Sequence, residues 1–341
     1  MRRTLRAGSR YIVFLAIFLL FLTGCGKQYR IEETEDGRTP ADENLIVVGV
    51  SQLGSESVWR TANTASIKNV FTKENGYFLI FSNARQRQEN QIKSLRSFIS
   101  QRVDYIVFSP ITEEGWDTVL KEAKDAGIPV IVIDRKVKVE DESPYTCWIG
   151  SDFKKEGQKA GEVLEDLLEE QNRQNEEINI IVLQGTGGAS ATIGRTAGFD
   201  SVVAMHENWK VLEQVDAEFT TAKGKEEMRK ILQRHDEIDV VISQNDDMTF
   251  GAVEAIQEAG KTTGVDGEIM VISFDAVKAA LEMVQAGMIN ADIECNPEQG
   301  EYIERVIEKL GKKEEIEKNC FVPEEVFTQE NVGNFIDERT Y

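Results

Sequence analysis

The chain has 341 residues, a formal net charge of −21, 41% hydrophobic residues and 29% charged residues. That length accommodates two domains of about 100–200 residues each, and the composition is that of a globular protein. So acidic a chain excludes nucleic acid as a partner, because phosphates ask for a basic patch.

Arg2, Arg3, Arg6 and Arg10 make a basic start, and Tyr11 to Leu22 is a continuous apolar run. The run is too short to span a bilayer comfortably and suits the apolar region of a signal peptide. It ends in Leu22-Thr23-Gly24-Cys25, which resembles the lipobox of bacterial lipoproteins and marks Cys25 as a lipidated N-terminus after cleavage. Residues 1–25 are therefore read as an export signal. Residues 26–43 are polar and aperiodic, with turn signals at Asp36-Gly37 and Thr39-Pro40, and read as a flexible tether. The expected location is extracytoplasmic, on the bacterial cell membrane.

From there strand and helix alternate. Leu45 to Val50 reads as a buried strand running into a Ser- and Gly-rich loop, with a helix starting near Ser57. Strands follow at Phe78–Phe81, Tyr105–Phe108 and Ile128–Ile133, separated by helical patterns over Gln88–Gln101 and Trp116–Ala126. The pattern restarts with a helix over Phe153–Glu170. Strands then read at 178–183, 211–219, 240–243, 270–273 and 291–294, with helices at 189–205, 223–235, around Phe250, 277–286 and 300–310. Near-continuous apolar strands between helices mean parallel sheets covered on both faces. The expected fold class is α/β, two doubly wound parallel-sheet lobes of similar size.

Strand after strand ends in a polar group: Ser51, Ser82-Asn83, Ser109, Asp134-Arg135, Gln184, Asn245-Asp246 and Asp275. Ligands of open parallel sheets bind beyond the carboxyl ends of the strands, so these groups predict a cleft between the lobes. The first loop offers Glu56, Ser55, Ser57, Trp59 and Arg60, a mixture that suits a small polyhydroxy ligand with a C–H face for the ring to cover. The plainer reading has Ser57 as a helix cap and Trp59 in the core. Asp134 beside Arg135 offers forked hydrogen-bonding groups for neighbouring hydroxyls, or else a plain ion pair. Arg195 lies in the helix after the Gly-rich turn. Asn245 suits a helix cap, with Asp246-Asp247 at the positive end of that helix.

Other chemistries find little footing. Gly185-Thr186-Gly187-Gly188-Ala189-Ser190 has Ser190 where a dinucleotide fingerprint needs its third glycine. His206 and His235 are the only histidines and fall on predicted helices. Cys147, Cys295 and Cys320 are widely spaced. One disulfide or three buried free thiols satisfies that count, and the spacing favours thiols. No metal, cofactor or catalytic residue is assigned. Glu56, Asp134 and Asp275 keep a glycosidase open as a rival reading, since two carboxyls across a cleft are its requirement.

Taken together, Ser51 through Arg60, Gln88 through Lys93, Gly115-Trp116, Leu120 through Lys124, Ile128 through Arg135, Leu183 through Thr186, Gly188 through Ser190 and Asn245 through Met248 resemble the type I periplasmic sugar-binding proteins. These are the solute receptors of ATP-driven sugar importers, and the look is nearest to the galactofuranose-binding branch. The likeness runs from about Leu45 to Pro297. It implies that Glu56, Ser57, Trp59, Arg60, Asp134 and Arg135 line a cleft from one lobe, and Arg195, Asn245 and Asp275 from the other. It implies three crossovers near residues 149, 295 and 322. Lobe 1 is then 44–149 plus 296–321, and lobe 2 is 150–295 plus 322–341. Cys295 stands where ribose-binding relatives carry Gln, which makes ribose a poorer candidate. The resemblance further implies a monomer that binds one monosaccharide, galactofuranose or a related hexose, and delivers it to an ABC transporter permease. A sugar-sensing subunit for a membrane kinase or chemoreceptor has the same sequence features.

Overall fold

A computed structural model describes residues 44–341. The export signal, Cys25 and the tether lie outside the described residues. Among the described residues no helix is long and apolar enough to cross a membrane.

Two six-stranded sheets form the body. The first contains β1 (Ile46–Gln52), β2 (Tyr77–Asn83), β3 (Tyr105–Phe108), β4 (Val130–Ile133), β5 (Cys147–Gly150) and β11 (Asn319–Phe321), in the order β11-β5-β4-β3-β1-β2. All its neighbours pair in parallel. The second contains β6 (Ile178–Gln184), β7 (Trp209–Asp216), β8 (Val240–Ser243), β9 (Met270–Asp275), β10 (Ala291–Glu294) and β12 (Val326–Thr328), in the order β12-β10-β9-β8-β6-β7. It is parallel except for β12, which runs antiparallel to β10. The two orders are the same when read from the edge strand inward. Successive strands bury Val48, Ile106, Val107, Ile131 and Val132 in one lobe, and Ile180, Ile181, Val240, Val241 and Ile272 in the other. Neighbouring residues point to opposite faces, so both faces are covered by helices, as apolar runs without alternation require.

Three of these strands escape the sequence reading. β5, β11 and β12 hold only three or four residues each. β11 and β12 are strands because a sheet edge takes up their backbone, β5 because it lies between β4 and β11, and no periodicity announces any of the three. β7 also starts at Trp209 and ends at Asp216, ahead of the expected 211–219. The histidines lie just beyond helices. His206 follows the helix Ser190–Val203, where its Nε2 is 2.6 Å from Glu165 and its ring stacks on Trp209. His235 follows the helix Thr221–Leu232, with Nε2 2.6 Å from Glu213. All three thiols are free; Cys147 and Cys295 are buried, whereas Cys320 on the edge strand β11 is half-exposed.

The chain passes between the sheets three times: after β5, after β10, and between β11 and β12. The three passages are fastened together. The Ser151 hydroxyl lies 3.2 Å from Cys295 Sγ and donates to Glu324 Oε1, and the Asn296 amide donates to that same oxygen at 3.1 Å. Burial beside Glu156 pushes the Glu324 carboxyl up to about 9.

Candidate functional site

The carboxyl ends of both sheets face one narrow interlobe cleft with about 30 Å³ of free volume. All nine residues singled out from the sequence line it: Glu56, Ser57, Trp59, Arg60, Asp134, Arg135, Arg195, Asn245 and Asp275. Phe153, Ala191, Phe219 and Cys295 line it as well.

The first lobe's contribution is built on α1 (Val58–Val70). Ser57 is its N-cap, accepting from the Arg60 amide at 3.1 Å. The plainer reading of this loop, Ser57 as cap and Trp59 buried, is the one found, and the same residues line the cleft, because capping fixes the turn that aims Trp59 and Arg60 inward. The Trp59 indole N–H donates to the Cys295 carbonyl at 2.5 Å, so the ring reaches the second crossover and is held there. Arg60 is only 3% exposed and joins three groups. Its Nε is 3.1 Å from Glu56, an Nη is 2.6 Å from Asp134, and the other donates to Ser109 at 3.4 Å. Its guanidinium also lies 4.6 Å from the Trp59 ring centre. Burial works against the Arg60 charge, but Asp134 and Glu56 more than compensate and raise its pKa. Arg135 is different: burial and the nearby Arg60 charge lower it. It donates to the Ile111 carbonyl at 2.9 Å and sits 5.2 Å from the Phe219 ring centre.

The second lobe places Arg195 through an unusually close helix pair, α4 (Phe153–Glu170) and α5 (Ser190–Val203). A Cβ on Gly157 would stand 2.1 Å from the Arg195 carbonyl oxygen, and one on Gly198 would stand 2.0 Å from that of Lys154. Glycine at both positions lets the backbones approach, and that brings Glu156 within 2.6 Å of the Arg195 Nε. Arg195 also bonds Asp275 at 3.3 Å and the Gln244 carbonyl. Asn245 caps α7 (Asp246–Glu258): its side-chain oxygen accepts from the Met248 amide at 3.0 Å and its Nδ2 donates to the Phe219 carbonyl at 3.4 Å. Asp246 is fully buried beneath the site, accepting from Ser273 and from the Val277 amide. Gly185 belongs to this site for a reason unrelated to phosphates, since any Cβ there would stand 1.8 Å from the Phe219 ring.

Asp134 follows β4 and Asp275 ends β9, the third strands of the two matched sheets. Both hold positive φ, 56° and 112°. Such backbone costs about 1–3 kcal/mol and persists where the surroundings over-determine it. Burial pushes Asp275 well above the usual carboxylate range despite Arg195.

The lobes meet directly at the cleft rim. The Val58 amide donates to Asp247 Oδ2 at 2.9 Å, the Glu113 amide to the Gly188 carbonyl at 3.1 Å, and the Lys136 amide to the Ser190 hydroxyl at 2.8 Å. Burial raises the Asp247 carboxyl, and the Val58 N–H opposes that rise.

Two matched parallel-sheet lobes, three crossovers and a polar, aromatic cleft at the strand ends define a two-lobed solute receptor of the type I periplasmic class. The chain belongs to the periplasmic binding protein domain family, which matches residues 47–314. It is similar to the galactofuranose-binding protein YtfQ of Escherichia coli, 40% identical over 255 residues, covering 74% of this chain and 78% of that one. Among solved structures, a Mycobacterium smegmatis protein in complex with β-D-fucofuranose has TM-score 0.82 and 40% identity, covering 87% of this chain and 95% of that one. The periplasmic component of the arabinose ABC transporter from Shewanella sp. ANA-3, bound to α- and β-L-arabinofuranose, has TM-score 0.80 and 42% identity, covering 86% and 95%. The fold class and the family expected from the sequence are the ones found.

Proposed function

We propose that this protein is an extracytoplasmic receptor that captures one monosaccharide in its five-membered-ring form and hands it to an ABC transporter permease. The observation that carries the reading is the composition of the cleft. Trp59, Phe153 and Phe219 supply apolar faces, while Glu56, Arg60, Asp134, Arg135, Arg195, Asn245 and Asp275 ring them with groups fixed by their own partners. Groups already held in place lose little entropy on binding, which favours affinity. The furanose ligands of the similar structures support the ring form, and galactofuranose or a related hexose is the first candidate. The nine sequence-derived residues are proposed as sugar contacts, together with Phe153 and Phe219.

Binding by lobe closure follows from the rim. The Val58–Asp247, Glu113–Gly188 and Lys136–Ser190 contacts exist only when the lobes touch, and a ligand that contacts both lobes favours that state. The lobe limits proposed are 44–149 plus 296–321 and 150–295 plus 322–341. The reading includes a monomer tethered through a lipid on Cys25, and no catalysis. The test is a calorimetric titration with pentoses and hexoses, alongside a chromogenic glycoside. Binding of a galactose-like or arabinose-like sugar without turnover supports the receptor. Turnover of the glycoside replaces it with a glycosidase, and absence of binding to every monosaccharide refutes it.

A further inference from the structure

We propose that Glu156, Cys295 and Glu324 form a binding site for one borderline-soft divalent cation, Zn²⁺ in the first instance, where the three crossovers between the lobes converge. The three residues are far apart in sequence, so no ligand spacing announces them. In the fold, one ligand atom from each lies within 4.8 Å of the other two. Zinc bonds of about 2.3 Å to sulfur and 2.0–2.2 Å to oxygen set tetrahedral ligand atoms roughly 3.3–3.7 Å apart. Side-chain rotation of about 1 Å closes that difference, with no movement of the sheets.

A second observation points to a ligand. Arg195 occupies Oε2 of Glu156, and the fully buried Oε1 makes no well-formed hydrogen bond, Ser151 and the Glu324 carboxyl being the other polar neighbours of this carboxyl. A buried carboxylate oxygen without a partner is costly, and a cation removes that cost. The charge also balances. Arg195 already answers one of the three negative charges that ligation requires, and a dication answers the other two.

The donor set selects the metal class. One thiolate with two carboxylates disfavours Mg²⁺ and Ca²⁺, which take oxygen alone, and suits Zn²⁺. Ser151 Oγ, 3.2 Å from Cys295 Sγ and bonded to Glu324, stands ready as a neutral fourth ligand. Outer-shell support is in place as well: Arg195 orients Glu156, and the Asn296 amide orients Glu324. Cys295 lines the cleft, which gives the cation a route in when the lobes part. A cation seated here joins α4 to the second and third crossovers and, through Ser151, to the first. It therefore stiffens the hinge.

The test is equilibrium dialysis of the purified protein against Zn²⁺, with Co²⁺ as a spectroscopic substitute. One zinc retained per chain and a cobalt–thiolate charge-transfer band in the near ultraviolet are expected. Cys295→Ser removes the band, Cys320→Ser keeps it, and Glu324→Gln weakens zinc binding at least about tenfold. Metal-free melting curves establish that each variant is folded, and the wild-type cobalt spectrum needs no variant at all. No zinc retained by the wild type, or a band that survives Cys295→Ser, overturns the site.

Discussion

Asp247 offers a sharp test of lobe closure because it does not line the cleft and yet bonds across it. Its Oδ2 accepts from the Val58 amide, the first residue of a helix belonging to the other lobe. That helix has no acidic residue in its own first turn, so Asp247 supplies the negative charge its positive end favours. Parting of the lobes would break this bond and leave the same carboxylate to water. A hydrogen bond to a charged group contributes about 1.5–3 kcal/mol net, so Asp247→Ala raises the sugar Kd by roughly 10- to 150-fold. The loss falls on the dissociation rate, because the contact forms only after the sugar has been met. Asp247→Asn keeps an acceptor without its charge and lands between the two. Calorimetry gives the Kd values, and stopped-flow tryptophan fluorescence gives the rates. A Kd for Asp247→Ala within about twofold of wild type, or a change confined to the association rate, refutes the closure argument.

Arg60→Ala leaves Glu56 and Asp134 buried without their shared cation, and removing one partner of a buried pair costs about 3–5 kcal/mol. Urea unfolding checks this, and an unchanged midpoint contradicts it. Trp59→Ala and Arg135→Ala each weaken sugar binding at least about tenfold, the cost of one lost charged or aromatic contact. Trp59→Ala also frees the Cys295 carbonyl, so its thermal stability falls, and an unaltered melting temperature contradicts the strut seen here. Asp292 is pushed up to about 7, first by burial, against an unfolded value near 3.9. A raised carboxyl stabilises the fold below the unfolded value and loses that contribution as pH climbs through the folded one. Stability therefore declines between about pH 4 and 7, and Asp292→Asn flattens that decline in urea titrations across the range. Parallel pH profiles for the two proteins would sink the assignment.

The strand–helix alternation was legible because strands covered on both faces carry long apolar runs, such as Val130–Ile133 and Ile178–Leu183, and each ends in a polar group. Those ends predicted a cleft, and the nine residues that the family resemblance implied for it all line it. Phe153 and Phe219 entered the sequence reading only as the start of a helix and the end of a strand, and the signal available for Phe219 was indirect: Gly185 is a glycine because that ring lies against it. The interrupted Gly-rich turn thus had a steric cause, and the sequence offered no partner by which to recognise it.

Local pattern by itself determined the two-lobed α/β architecture, the polar strand ends that face the cleft, and the capping roles of Ser57 and Asn245, since each rests on residues near one another in the chain. Tertiary structure alone decided what depends on distant residues meeting. It tied Arg60 to Asp134, Trp59 to the Cys295 carbonyl and Asp247 to the Val58 amide, and it gathered Glu156, Cys295 and Glu324 at the hinge. Hydrogen bonds and charges act over a few ångströms. Which groups come that close from distant parts of the chain is set by the order of the strands in each sheet and by the crossovers between them.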